Sequence, residues 1–186
     1  MTDTIESCLQ DLIGLPSWGV ERVHGSILAF EFGEPRLHVR EPYVSASRSA
    51  EVRARAAQRR IKPVGDRNLT IFACHWRIGR EAERLAEDED ANRQIQAALD
   101  SLSGEKLVQV SIDERKYETL FRFDLGGSLL TWPYERNDDE QWSVYRPNGN
   151  VLTLRADGQY SIGSEDEPPD RLTWRPLAGG VVVPGV

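Results

Sequence analysis

Large apolar residues recur along this chain in two rhythms, and the changes of rhythm mark its elements. Ile5, Cys8, Leu9, Leu12 and Ile13 fall at helical spacing over residues 4–13, and Gly14 and Pro16 end the run. Residues 17–25, with Trp18, Gly19 and Gly25, read as a loop. From residue 26 the period becomes two. Leu28, Phe30 and Phe32 share one face of 26–32, and Leu37 and Val39 alternate with Arg36, His38 and Arg40 over 36–41. Gly33-Glu34 suits a two-residue turn, because glycine accepts the positive φ of its first position. The pattern predicts a hairpin that pairs Phe30 with Leu37 and Leu28 with Val39. Residues 69–78 are apolar on both faces and read as one central strand. Helical spacing returns over 80–102 in Ala82, Leu85, Ile95, Ala98, Leu99 and Leu102, with Gly104 as its stop and the acidic run Glu87-Asp88-Glu89-Asp90 as a point of division.

The second half alternates in short runs at 106–113, 117–125, 128–134, 141–146, 150–155 and 159–163. Gly126-Gly127, Asn148-Gly149 and Asp157-Gly158 separate three of these pairs and are strong hairpin signals. Pairing across Gly126-Gly127 predicts Phe123 opposite Leu130 and Phe121 opposite Trp132. Residues 163–170 read as a polar loop and 172–176 as a last strand. Hairpin after hairpin gives an antiparallel meander, since parallel strands need long crossovers. The expected fold class is α+β: a curved, mainly antiparallel sheet, open or closed into a partial barrel, packed against one or two helices. Residues 1–186 form one expected domain. Segment 43–67 stands out as a basic excursion, either a mobile loop or a surface helix, and 177–186 as a short tail.

Charge sharpens this picture. The chain of 186 residues carries 23 basic and 30 acidic side chains, a net −7. That balance argues against a nucleic-acid partner. Yet residues 43–67 hold seven bases (Arg48, Arg53, Arg55, Arg59, Arg60, Lys62, Arg67) against Glu51 and Asp66. No aromatic residue interleaves them for stacking on bases, so the plainer reading is a solvated segment. The acidic start lacks a signal-peptide pattern, no apolar run is long enough for a membrane span, and two cysteines make no disulfide framework. The expectation is a cytoplasmic protein with reduced thiols and no membrane partner. Arginine so outnumbers lysine that a GC-rich bacterial genome is the expected source.

Strong catalytic motifs are missing: no phosphate loop, nucleophile elbow or Cys-x-x-Cys occurs. The three histidines, His24, His38 and His75, have no metal-ligand spacing, so neither metal nor cofactor is expected. His75 is the leading catalytic candidate, ahead of Cys74 as a nucleophile: a general base oriented by Glu31 or Asp124; the plainer reading is a packed strand histidine. Cys74 shares a face with Phe72 and Trp76 and reads as an inert core thiol. Of the five tryptophans, Trp76 and Trp132 read as core, and Trp142 as stacking on Arg155. The acidic runs Glu87, Asp88, Glu89, Asp90 and Asp138, Asp139, Glu140, together with Glu165-Asp166-Glu167, are candidate contacts for a basic partner.

The stretch from Glu140 to Ser161 (EQWSVYRPNGNVLTLRADGQYS), with Phe123-Asp124-Leu125-Gly126-Gly127 before it, resembles a pattern in uncharacterised bacterial proteins, some of the immunity type. The resemblance covers the C-terminal third and rests on turn glycines and strand residues. It implies a fold and a protein partner, and it carries over no catalytic residue. Two functions are therefore expected in order: a non-enzymatic, immunity- or antitoxin-like module that binds a basic protein through acidic loops; alternatively, an enzyme or small-ligand binder with a pocket around His75.

Overall fold

The computed structural model describes residues 3–185. Helix α1 (Ile5–Gln10) leads into β1 (Ser17–His24), β2 (Ile27–Phe32) and β3 (Arg36–Arg40). After α2 (Ala50–Ala56) come β4 (Arg60–Val64), β5 (Arg67–Ile71), β6 (Cys74–Arg80), β7 (Glu83–Glu87) and α3 (Asn92–Leu102). The second half is β8 (Leu107–Ile112), β9 (Thr119–Phe123), β10 (Gly127–Pro133), β11 (Glu140–Tyr145), β12 (Asn150–Arg155), β13 (Gln159–Ser164), β14 (Arg175–Pro176) and β15 (Val181–Pro184). No helix among the described residues is long and apolar enough to cross a membrane.

The fold is α+β with antiparallel sheets that do not close into a barrel. Seven strands in the order β1-β2-β5-β11-β12-β13-β14 form one sheet, and six in the order β15-β8-β9-β10-β6-β7 form the other. Their inner faces meet in one core. Phe30 of the first sheet stacks on Phe123 of the second, and the indole of Trp142 donates a 2.9 Å hydrogen bond across the core to the Thr119 hydroxyl. That bond satisfies the one polar atom of a fully buried ring. Ile95, Ala98, Leu99 and Leu102 of α3 and Ile5, Cys8 and Leu9 of α1 complete the same core. Thr4 and Ser7 cap α1 reciprocally.

Several local expectations give way to longer-range pairing. The segment read as a loop at 17–25 is the edge strand β1. β2 pairs with β1 and β5, and β3 pairs with β4, so the hairpin predicted across Gly33-Glu34 does not form. Leu37 and Val39 are exposed instead of facing Leu28 and Phe30. The β2–β5 ladder and the β3–β4 ladder are two parts of one long hairpin. Between the pairs Phe32↔Arg67 and Arg36↔Val64, residues 33–35 oppose residues 65–66, an irregularity that separates the outer part from the ladder of the sheet. The basic excursion is thus the distal arm of a hairpin, with α2 at its tip.

The run 69–78 is two strands. The amides of Phe72 and Ala73 bond to the carbonyls of Gln141 and Glu140, and the chain then leaves the first sheet for the second. Residues 80–90 are not helical: Glu81, at φ 53°, turns the chain into β7, which pairs with β6 as an edge strand, and α3 begins at Asn92. Across Gly126-Gly127, Phe121 faces Leu129, a register three residues from the predicted one. Trp132 pairs with His75 on the outer face instead of entering the core, and Arg155 lies over Trp174, not over the buried Trp142. Part of the expected tail is β15, which places Val181 and Val183 in the core.

Candidate functional site

Strands β11, β12 and β13 repeat one motif. A small hydroxyl residue sits between two larger apolar ones: Ser143 between Trp142 and Val144, Thr153 between Leu152 and Leu154, Ser161 between Tyr160 and Ile162. Alternation sends the apolar residues inward and the hydroxyls outward. The register aligns Ser143, Thr153 and Ser161 in one row across the outer face. Small side chains leave a hollow there, and residues 165–172 curl back over its side. A Cβ on Gly163 would stand 2.8 Å from both Glu167 Oε2 and Leu172 Cδ2, so the loop packs closely against this glycine. The amides of Glu165 and Glu167 fix the loop on the carbonyls of Gly149 and Ser164, each at 2.9 Å.

The result is a cleft floored by hydroxyls and rimmed by Glu140, Glu165, Glu167 and Tyr145. The Ser143 and Thr153 hydroxyls bond to each other at 2.8 Å. Ser161 is only 2% exposed and lines the same cleft. Burial pushes the Tyr145 phenol up, and the Glu140 and Glu165 carboxylates add to that shift. Carboxylates and hydroxyls around one hollow offer acceptors in several directions. This is the complement of an ammonium or guanidinium group, which only donates.

Of the acidic residues singled out in the sequence, Glu140, Glu165 and Glu167 lie in this cleft. Asp138 and Asp139 are exposed on the adjoining loop, where Asp139 accepts from the Asn137 amide at 2.7 Å. The run at 87–90 is used internally. Glu87 pairs with Arg77 at 2.6 Å, Asp88 with His75 at 3.0 Å, and Asp90 binds Arg84 and caps the Glu87 amide. Only Glu89 of the four is exposed.

His75 meets neither Glu31 nor Asp124. Glu31 accepts the Gly65 amide at 2.9 Å, and Asp124 accepts that of Lys106 at 2.9 Å. The carboxylate at Nδ1 is Asp88, delivered by the β6–β7 hairpin. The imidazole also stacks on Trp132 and meets the edge of Tyr134, while Arg77 lies over Trp132. Reading 80–90 as helix hides Asp88 from His75; reading it as the return strand of a hairpin brings them together. Burial raises the thiols of both cysteines, Cys8 to about 11 and Cys74 further still, which makes them poor nucleophiles.

Serine and threonine at alternate strand positions were the available signal for the hydroxyl row. Glu165 and Glu167 were visible as acids, but their place beside Glu140 depends on how the loop folds back. Comparison of the chain with protein-family models, with curated proteins and with solved structures gives no match.

Proposed function

We propose that the chain is a non-enzymatic protein-binding module that takes a basic side chain of its partner into the cleft between Glu140, Glu165 and Glu167. One observation carries this reading. Acidic residues about 25 positions apart in sequence converge on one cleft floored by a row of hydroxyls, Ser143, Thr153 and Ser161. A lysine or arginine entering there meets carboxylates for its charge and hydroxyls for its remaining donors. Asp138 and Asp139 extend the same negative edge and would speed encounter with a cationic partner. An immunity- or antitoxin-type role, neutralising a basic domain by covering it, is the form of this function that the resemblance in the C-terminal third favours.

The test is fluorescence anisotropy with a labelled lysine-rich peptide. Replacing Glu140, Glu165 and Glu167 by glutamine should weaken binding by roughly tenfold or more, since charge-assisted contacts dominate such a site. Replacing three remote exposed carboxylates, Glu6, Glu83 and Glu114, should change it far less. Equal losses in the two triple variants would reduce the interaction to overall charge and remove the cleft from it.

A further inference from the structure

The bases of the distal arm divide into two groups. Arg55 pairs with Glu51, Arg59 with Glu41 at 2.9 Å, and Arg67 with Asp66 at 2.7 Å. Arg48, Arg53, Arg60 and Lys62 have no carboxylate partner among the described residues; Arg48 and Arg53 lie near the arm's tip, whereas Arg60 and Lys62 sit on β4. They lie opposite Arg40 and His38 of β3. Directly paired residues project from the same face of a ribbon. His38, Arg40, Arg60 and Lys62 therefore share one face, while Leu37, Val39 and Ile61 alternate to the other.

That basic face forms one wall of a groove. Glu21, Arg22 and Val23 of β1 form the opposite wall, so the arm folds back over the edge strand of the first sheet. The groove encloses about 590 Å³, within the range of small-molecule sites. Two of its arginines are held only by neutral acceptors. Arg22 donates to the Asn92 side-chain oxygen at 2.8 Å and to the Gly25 carbonyl. Arg40 donates to the Arg55 carbonyl at 2.8 Å and lies over the Tyr43 ring, and its Nε is buried with no acceptor. These contacts fix both guanidiniums in place and leave their charges uncompensated. Four permanent cations and His38 thus line a groove that contains a single carboxylate, Glu21, in a chain whose net charge is −7.

We propose that this groove binds a ligand carrying consecutive phosphate groups. One phosphate cannot engage all of these residues. The rungs His38–Lys62 and Arg40–Arg60 lie two residues apart along the ribbon, a step of ~7 Å, and Arg22 stands on the facing wall. A linear run of phosphates offers oxygens to both rungs and to Arg22 together. The arginines present planar forks suited to phosphate, and Lys62 supplies a mobile point charge. This site is separate from the acidic cleft and does not depend on the function proposed for that cleft.

The experiment is calorimetric titration of the full chain at low ionic strength with inorganic tripolyphosphate and, separately, orthophosphate. Tripolyphosphate should bind saturably with one site, and orthophosphate roughly tenfold or more weakly. The variant Arg60→Ala/Lys62→Ala changes two exposed residues and should lose tripolyphosphate by about tenfold or more. Arg48→Ala/Arg53→Ala, at the arm's tip outside the groove, should retain it. Displacement by a short oligothymidylate would assign the phosphates to a nucleic-acid backbone, and failure to displace would assign them to a small molecule; either result upholds the site. No saturable binding of tripolyphosphate, or binding that survives Arg60→Ala/Lys62→Ala, overturns the proposal.

Discussion

Arg146 shows how much one side chain can tie together. It lies in the turn between β11 and β12, is nearly buried, and bonds Asp11 at 2.8 Å and Asp3 at 2.5 Å. Both carboxylates flank α1, so the guanidinium locks that helix onto the first sheet. The hydrogen bond from Arg146 is the main reason the Asp3 carboxyl is held below its ordinary value of 3.8. A carboxyl depressed by folding stabilises the fold above its unfolded value, and that contribution is lost as pH falls through the folded value. Arg146→Ala should therefore be less stable than the parent near neutrality, and the gap should narrow on acidification below about pH 4. Urea denaturation at several pH values measures this. A gap that stays constant down to pH ~3 would mean that packing of the arginine stem, not its charge, is what matters. Nothing in the sequence joins Asp3, Asp11 and Arg146, because the partners are separated by most of the chain. His75 is the contrasting case. Its strand and face were legible from alternation, yet its partner Asp88 was not, because charged residues on an edge hairpin follow helical and strand templates equally well.

Among the elements, the hinge between the sheet and the distal arm is the most tightly built. The Trp18 indole donates to the Gly33 carbonyl at 3.1 Å, and the buried Glu31 carboxylate accepts the Gly65 amide at 2.9 Å. A Cβ on Gly65 would fall 2.3 Å from the Phe32 carbonyl oxygen, which is backbone and cannot swing aside. Glu31→Ala strands a buried amide and should cost about 1–3 kcal/mol, with Glu31→Gln costing less because an acceptor remains. Gly65→Ala should cost more, about 3 kcal/mol, and expose residues 41–59 to limited proteolysis. Chemical denaturation together with digestion would check both. An arm that stays protected in Gly65→Ala would show that it is held by something other than this hinge. The sequence signals around Gly33 pointed to a chain reversal, but the chain only bends there and reverses further on, around α2. What they could not specify was the partner. A two-residue turn and a bend in a long hairpin carry the same glycine, and only the non-local β5 pairing distinguishes them. The later hairpins at Asn148-Gly149 and Asp157-Gly158 were legible because turn and partner are adjacent in sequence.

At the scale of the whole molecule, the sheets are joined by covalent crossings as well as by the core. Residues 67–80 supply β5 to one sheet and β6 to the other, with the change at Phe72 and Ala73. β5 takes β2 on one side and β11 on the other, while β6 lies between β10 and β7. The partners β10 and β11 both come after residue 126. Such distant pairings make folding slow relative to a meander of local hairpins. A fragment of residues 1–104 should show no cooperative unfolding transition, and mixing it with residues 105–186 should restore one. Circular dichroism with urea would decide this, and a cooperative transition in the first fragment alone would refute it. During synthesis, Ile71, Trp76 and Ile78 leave the ribosome long before the strands that will cover them exist. For that interval the nascent chain carries its stickiest residues uncovered, and its success in the cell depends on translation outrunning aggregation.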